Sequence, residues 1–135
     1  MKTSLIAKLI GHGVGRRKSS VARVWLKKGK GSFTVNGRDY ATYFDTDHSR
    51  KGSIAALRAL SLEDAYDITA NIYGGGIMSQ SGAMRLAVAR ALLTIDPTYR
   101  EVLKPLRYIS VDSRKKERKK PGQKAARAKF QFVKR

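Results

Sequence analysis

The stretch AYDITANIYGGGIMSQSGAMRLAVARALLTI, residues 65–95, decides the fold. Its first nine residues, Ala65–Tyr73, carry apolar or aromatic side chains at alternate positions, which predicts a strand. Gly74–Gly76 then interrupts the pattern. Over Gln80–Ile95 apolar residues recur at helical spacing, so one face of a helix is apolar. A strand, a glycine break and an amphipathic helix in succession favour an α+β domain.

The residues before this stretch predict more of the sheet. Over Ser19–Lys28, alternating side chains that include β-branched and aromatic residues predict a strand. A short turn at Gly29–Gly31 leads to Ser32–Val35, which is predicted to pair back on that strand as a hairpin. Ile54–Leu60 is rich in helix formers and predicts a helix.

The residues after the long helix predict two further elements. Asp96 and Pro97 are predicted to end the helix and to begin a short helical turn. Leu106–Val111 is predicted to be a last strand. The fold class is therefore α+β, a single compact domain in which a small mixed sheet is packed by helices.

Composition limits the kind of function. The 135 residues fit one domain, and 29 Lys and Arg against 10 Asp and Glu give a net charge of +19. This excess favours a polyanionic partner, above all nucleic acid. The absence of Cys excludes a disulfide scaffold, a thiolate zinc site and a Cys nucleophile. Apolar runs stay well short of the roughly 18 residues of a membrane span, and no signal peptide is predicted.

The charge is concentrated at the C-terminal end. Residues 113–135 hold 11 of the 29 cations and one acid, Glu117. With few bulky apolar residues and with Pro121-Gly122 in its middle, this segment is predicted to be disordered alone and ordered by a counter-charged partner. The predicted division is a variable lead-in over residues 1–12, a globular domain over residues 13–112 and a basic tail over residues 113–135.

Two glycine-rich segments are candidate phosphate sites. Gly11–Lys18 lacks a preceding strand, which excludes a dinucleotide fingerprint. It is either a flexible, solvated lead-in or a backbone that approaches phosphates, and the forked donors of the adjacent Arg16 and Arg17 favour phosphate. Gly74–Gly76 could hold an anion at a helix start, or could be required for positive φ and close packing. Residue types leave that second choice open.

Side chains suited to catalysis are few. His12 and His48 are the only histidines, and neither has Cys or acids at metal-ligand spacing. Asp45 and Asp47 beside His48 indicate an exposed turn. No catalytic residue, metal or cofactor is predicted, and an enzyme reading has almost no support.

Cations on the helix and aromatics in the tail leave alternatives open. Arg85 and Arg90 on the long helix are either solvated or in contact with RNA phosphate. Phe130 and Phe132 lie among tail cations and either stack on unpaired bases or dock on the protein's own body. The tail's charge alone also fits a nuclear-import signal, a DNA-binding arm or an acidic-membrane anchor.

Three separated motifs resemble one known family. They are GRRKSSVARV at residues 15–24, GGGIMSQSGA at residues 74–83, and ERKKPG at residues 117–122 followed by the terminal FVKR. In this order they resemble the ninth small-subunit ribosomal protein in its bacterial or organellar form. Two positions depart from that pattern, because Val14 stands where the family often has Thr and Val133 where Ser is common.

The resemblance implies a fold, a place and partners. The domain would be similar to the second domain of the fifth small-subunit protein and would bind small-subunit ribosomal RNA in the head, beside other head proteins. The tail would thread through RNA, with Lys134 and Arg135 approaching peptidyl-site tRNA. Neither a membrane nor a small-molecule substrate is implied. The expected location is the cytoplasmic ribosome, with a mitochondrial or plastid ribosome as the alternative.

The candidate RNA-binding residues follow from the charge and from this resemblance. They are Arg16, Arg17, Lys18, Arg114, Lys115, Lys116, Arg118, Lys119, Lys120, Lys124, Arg127 and Lys129, with backbone phosphate contacts at Gly74, Gly75 and Gly76. The alternative function is nonspecific DNA compaction or another basic nucleic-acid-binding role.

Overall fold

The computed structural model describes residues 9–133, so Lys134, Arg135 and most of the predicted lead-in lie outside the described residues. The strands are β1 (Leu9–Arg17), β2 (Ser20–Lys28), β3 (Phe33–Val35), β4 (Arg38–Asp39) and β5 (Tyr66–Tyr73). The helices are α1 (Tyr40–Tyr43), α2 (Asp47–Ser53), α3 (Ala55–Ala59), α4 (Ile77–Ile95) and α5 (Arg100–Leu103), with a 3₁₀ turn at Pro97–Tyr99 before α5.

The five strands form one mixed sheet in the order β1-β2-β5-β3-β4. β2 pairs antiparallel with β1 and β5, and β3 runs parallel to β5. Helix α4 packs across β1 and β2, and α2 and α3 pack against α4. The core lies between this sheet face and the helices, and it is built from alternate residues of β2 and β5 and from α4. Residues 79–84, 86–89, 91 and 92 of α4 are buried, so this helix is enclosed around most of its circumference and not only along the single apolar face that was predicted. The described chain is thus a single compact α+β domain.

The main elements match the sequence patterns. β2 and β5 confirm the two predicted strands, and α3 confirms the helix within Ile54–Leu60. α4 begins at Ile77, three residues before the predicted start, and its spaced apolar residues Met84, Val88 and Leu92 are fully buried. Asp96 follows α4 and its carboxylate accepts the Thr98 amide at 2.9 Å, which begins the predicted short turn.

The predicted hairpin between β2 and β3 is wrong. β3 lies on the far side of β5, and β5 separates it from β2. The connection is fixed by Asp67 of β5, whose Oδ1 accepts the backbone amides of Lys30, Gly31 and Ser32 at 2.9–3.1 Å. These bonds hold the chain over the end of β5, so that it crosses to the far side before β3 begins.

The predicted last strand at Leu106–Val111 is also wrong. This segment forms turns and bends, starting with the Arg107 amide bonded to Lys104 O at 3.0 Å. Tyr108 and Ile109 pack on the edge of the core instead of joining the sheet. Their apolar character reflects burial against the body.

Gly11–Lys18 is neither a flexible lead-in nor a loop, because most of it is edge strand β1. Its three alternate glycines face α4, and a Cβ on Gly11, Gly13 or Gly15 would collide with a backbone carbonyl oxygen of the helix. Because glycine has no side chain, the strand lies directly on the helix backbone. The glycines therefore serve packing, and His12 and Val14 between them face away from the helices.

Candidate nucleic-acid interface

The three cations predicted to act together, Arg16, Arg17 and Lys18, diverge in the structure. Successive side chains of a strand point to opposite faces, so Arg16 is exposed on the helix-free face of the sheet while Arg17 turns towards the helices. Arg17 is half-buried and its side chain passes over Gly82 of α4, where a Cβ would crowd it. Lys18 lies in the β1–β2 turn with φ 52°. Arg17 and Lys18 therefore border one depression together, and Arg16 borders an adjoining one with Arg17.

Asp112 joins the start of the C-terminal segment to the body. Its carboxylate lies 3.9 Å from Arg17 Nη2 and accepts two side-chain bonds from Arg114, at 3.0 Å from Nε and 2.8 Å from Nη2. The side-chain hydrogen bonds from Arg114, then its backbone amide, hold the pKa of Asp112 well below its ordinary value. The carboxylate is thus charged at neutral pH and keeps residue 114 beside β1.

A basic cleft surrounds this junction. We define it as the open depressions between the end of β1, helices α2 and α4, and residues 107–116. Its cationic lining is Arg16, Arg17, Lys18, Lys51, Arg85, Arg107, Arg114, Lys115 and Lys116. Asp112 is the acid that borders these depressions, and it is already bonded to arginines. The cleft therefore presents many donors to an anion.

Helix positions contribute cations that sequence patterns did not single out together. Arg85 of α4 stacks over the Tyr108 ring, with the guanidinium carbon 5.2 Å from the ring centroid. Lys51 of α2 and Arg107 border the same cleft. Lys51 follows Arg50 on α2, and Arg85 and Arg107 have no cation directly beside them, so no local pattern groups the three. Their common location follows only from the packing of α2 and α4.

Arg90 has a structural role in the described chain. Its Nη1 donates to the carbonyl oxygen of Val14 at 2.8 Å, which ties α4 to edge strand β1. The bond uses the backbone of Val14, so it does not depend on the hydroxyl that this position lacks. Of the two arginines left open on the helix, Arg85 lines the cleft and Arg90 secures the sheet.

Gly74 and Gly75 have positive φ values of 77° and 62°. The carbonyl oxygen of Gly74 accepts Ser20 Oγ at 2.8 Å and Gln80 Nε2 at 3.0 Å, and a Cβ on Gly75 would collide with Ser20 Oγ. Conformation and packing therefore account for both glycines. Gly76 is the N-cap of α4, has open space around its Cα, and receives no side-chain cap. Ser79, in the first turn of α4, donates its hydroxyl back to Gly76 O at 2.9 Å.

The segment after Asp112 contains no helix within its described part, and one isolated bridge joins Gln123 to Lys129. Glu117 pairs with Lys120 at 3.1 Å and with Arg127 at 2.9 Å. Phe130 is 60% exposed and Phe132 fully exposed, so docking of these rings on the body is not seen. The described tail cations are mostly exposed. The predicted tip residues Lys134 and Arg135 lie outside the described residues.

Within residues 9–133, no group of three or more His, Asp or Glu side chains is placed to hold a metal ion. His48 is exposed on α2, where neighbouring Asp47 pairs with Arg50 at 3.1 Å. No helix in the described part of the chain is long and apolar enough to cross a membrane. The most prominent chemical property of this surface is its positive charge.

Comparison with known proteins adds a family. The family model described as ribosomal protein S9/S16 matches residues 15–135. The chain is 47% identical over 126 residues to small ribosomal subunit protein uS9 of Borrelia turicatae, covering 93% of each chain. It is 48% identical over 126 residues to the protein of that name from Tropheryma whipplei, covering 93% of this chain and 82% of the relative. Over 123 residues it is 46% identical to the Borreliella burgdorferi protein, covering 91% of this chain and 90% of the relative.

Proposed function

The chain belongs to the ribosomal protein S9/S16 family, and from this premise we propose that it is a structural constituent of the small ribosomal subunit that binds ribosomal RNA through the basic cleft. The observation that carries the RNA-binding role is the convergence of cations from β1, α2, α4 and residues 107–116 on one surface. The proposal assigns the protein no catalytic residue, cofactor or metal.

The geometry of the cleft suits phosphate groups. Arg17 and Arg85 project from elements packed in the core, so their forked donors are held in place before a ligand arrives. Lys115 and Lys116 lie beside them at the start of the tail and add point charges. Binding several phosphates releases counterions, which makes the interaction strongly dependent on salt. The backbone amide at Gly76, at the start of α4, is a further proposed phosphate contact.

The tail extends this role. We assign residues 13–112, together with the start of β1 at residues 9–12, as the globular unit, residues 113–135 as a long basic tail that threads through ribosomal RNA, and the residues before β1 as a variable lead-in. The predominance of exposed cations and the exposed rings of Phe130 and Phe132 support this assignment. On the family resemblance, the globular unit lies in the head of the subunit beside other head proteins, with a fold like the second domain of the fifth small-subunit protein. Lys134 and Arg135 approach the peptidyl-site tRNA.

The proposed location is the ribosome of a bacterial cytoplasm, in keeping with relatives from bacteria. The alternative function is nonspecific compaction of DNA, which the charge alone would also permit. Family membership over nearly the whole chain favours the ribosomal role.

Sedimentation tests the proposal directly. Cell lysate is layered on a high-salt sucrose gradient and the fractions are probed for this chain. Stable migration with the small subunit is the expected result. Recovery at the top of the gradient, or migration with DNA, would contradict a role as a subunit constituent.

A further inference from the structure

We propose that the sheet face turned away from the helices binds an unpaired stretch of RNA, a second contact that rests on the proposed ribosomal role and adjoins the basic cleft at Arg16. We call this surface the open face. It is formed by β1, β2 and β5, and its principal residues are His12, Arg16, Arg23, Trp25, Lys27 and Tyr73.

The strand register places these side chains on one surface. Directly paired residues point to the same side of a sheet. Gly13 pairs with Val24 and both are buried against the helices, so the neighbouring pair His12 and Trp25 faces outward. On β5, Tyr73 alternates with the buried Ile72 and therefore also faces outward.

Aromatic groups on this face are available for stacking. The rings of His12 and Trp25 lie with centroids 5.3 Å apart and planes inclined by 43°. Tyr73 is 56% exposed and lies four residues along β5 from Thr69, the partner of Trp25. At about 3.3–3.4 Å per residue, this separates the two aromatic positions by roughly 13–14 Å. Two platforms at that distance can each receive a base of one strand.

A cation lies between the two aromatic platforms. Arg23 pairs with Asn71, in the row between Trp25 and the Val21–Tyr73 pair, and it is exposed. A guanidinium in this position can bind a phosphate while flanking bases stack on the aromatic rings. Arg16, in the row of Tyr73, extends the positive surface towards the basic cleft.

The acids near this face do not neutralise it. Asp67 adjoins Lys27 and offsets its charge, which leaves the charges of Arg16 and Arg23 on the β1–β2 side. Asp39 lies on β4, the far edge of the sheet. The β1–β2 half is therefore positive and complementary to a polyanion. The exposed rings of His12 and Tyr73, with the partly exposed Trp25, favour an unpaired strand, because a duplex has its base faces already stacked.

Trp25 is the only tryptophan of the chain, so its fluorescence reports on the open face. The full-length protein is titrated with a fluorescein-labelled unpaired ten-nucleotide uridine RNA and with an RNA duplex of equal length. Anisotropy measures total binding and Trp25 emission measures contact with this face. We expect the unpaired RNA to quench Trp25, and the duplex to bind with little quenching.

Variants distinguish RNA binding at the open face from general electrostatic attraction to the charged protein. Tyr73→Ala removes an exposed ring and is expected to weaken binding of the unpaired RNA about five-fold or more, within the usual cost of losing a stacked base. Arg23→Ala is expected to weaken binding and reduce the quenching. Arg58→Ala on α3 is the control, since it removes the same charge from a different surface.

The outcomes are distinct for the two proposals. Anisotropy that shows RNA binding, with Trp25 emission unchanged and Tyr73→Ala as tight as the parent, would overturn the open-face contact and leave the ribosomal role intact. Failure to bind either RNA would count against both. In assembled subunits, a photo-crosslinking amino acid in place of Tyr73 should crosslink to RNA. Crosslinking to a protein alone would identify a protein partner and reject RNA as the occupant.

Discussion

Arg90 Nη1 and the carbonyl oxygen of Val14 lie 2.8 Å apart, a bond that joins the middle of helix α4 to an edge strand 76 positions earlier in the chain. β1 has glycine at alternate positions, so it contributes little apolar side-chain area on its helix-facing side. Its attachment depends on pairing with β2, on close backbone contact with α4, and on this one charged hydrogen bond.

Replacing Arg90 should therefore destabilise the fold. Arg90→Ala removes a charge-assisted bond to a backbone carbonyl and is expected to lower the free energy of unfolding by about 1–2 kcal/mol. Urea denaturation followed by circular dichroism measures this change. Arg58→Ala is the matched control, because its exposed pair with Glu63 should contribute less than about 1 kcal/mol. Equal stability of the two variants would contradict the role of Arg90.

A methyl group at Gly13 should have a larger effect. Its Cβ would overlap the Ala87 carbonyl and the Ala91 amide in α4, and neither backbone group can turn aside. Gly13→Ala is expected to cost about 3 kcal/mol, at the upper end of the usual penalty for overpacking. Gly76→Ala is the control, since that residue has a negative φ of −93° and open space around it. A Gly13→Ala protein as stable as Gly76→Ala would show that β1 is not packed directly on the helix.

The β2–β3 connection should respond to acid through Asp67. Backbone hydrogen bonds from Ser32, Lys30 and Gly31 lower the pKa of Asp67. A depressed pKa contributes stability that is fully present above the unfolded-state value of about 4 and lost as pH falls through the lower folded-state value. The parent should thus be more stable than Asp67→Ala at pH 7, and this advantage should shrink as the pH is lowered below about 4. Denaturation midpoints at pH 7, 4 and 2.5 measure it, and a constant difference would contradict the assignment.

Cations of the basic cleft should contribute to the salt dependence of RNA binding. If about 6–10 phosphates are bound, affinity should fall by about 10³–10⁵ between 50 and 200 mM salt. Removing both Arg17 and Arg85 should weaken binding at each salt concentration and reduce the slope of log affinity against log salt by about 2. Filter binding to small-subunit ribosomal RNA measures the slope. The Arg58→Ala protein should keep the parent slope, and an unchanged slope in the double variant would exclude the cleft as the phosphate site.

The tip of the tail should affect tRNA and not assembly. Deleting Lys134 and Arg135 removes two positive charges and leaves the body and the described tail unaltered. Subunits carrying the truncated protein should sediment normally and retain less peptidyl-site tRNA. Toeprinting and tRNA filter binding on matched subunits measure this. Equal retention by truncated and full-length subunits would remove the tip from the proposed function.

The local spacing of apolar residues predicted the strands and helices in which that spacing is regular. β5 follows from residues 65–73 because its buried side chains alternate, and α4 was predicted from Met84, Val88 and Leu92 at helical spacing although the helix is buried around most of its circumference. β1 was missed for the opposite reason, since its buried positions are glycines and carry no apolar pattern. The wrong hairpin has a tertiary cause, because the bonds of Asp67 that direct the chain across β5 join residues more than thirty positions apart.

The sequence predicted the kind of partner at the candidate interface better than the location of the interface. Net charge indicated a polyanionic partner, and the motif resemblance indicated the family that comparison then showed. Arg16, Arg17 and Lys18 form one run in the sequence, yet strand alternation sends Arg16 and Arg17 to opposite faces. Lys51, Arg85 and Arg107 join the cleft only because helices and a terminal segment pack together.

The junction at Asp112 affects the order in which the body and the tail would contact RNA. Because Asp112 and Arg17 hold the first tail residues at the edge of the cleft, RNA that occupies the cleft lies within reach of Lys115 and Lys116 without any intervening linker. Engagement of the tail then becomes an intramolecular event, at an effective concentration on the order of millimolar or above. If the proposed function holds, the body thus keeps the basic segment next to the RNA that it binds, and the free tail alone should lack this advantage.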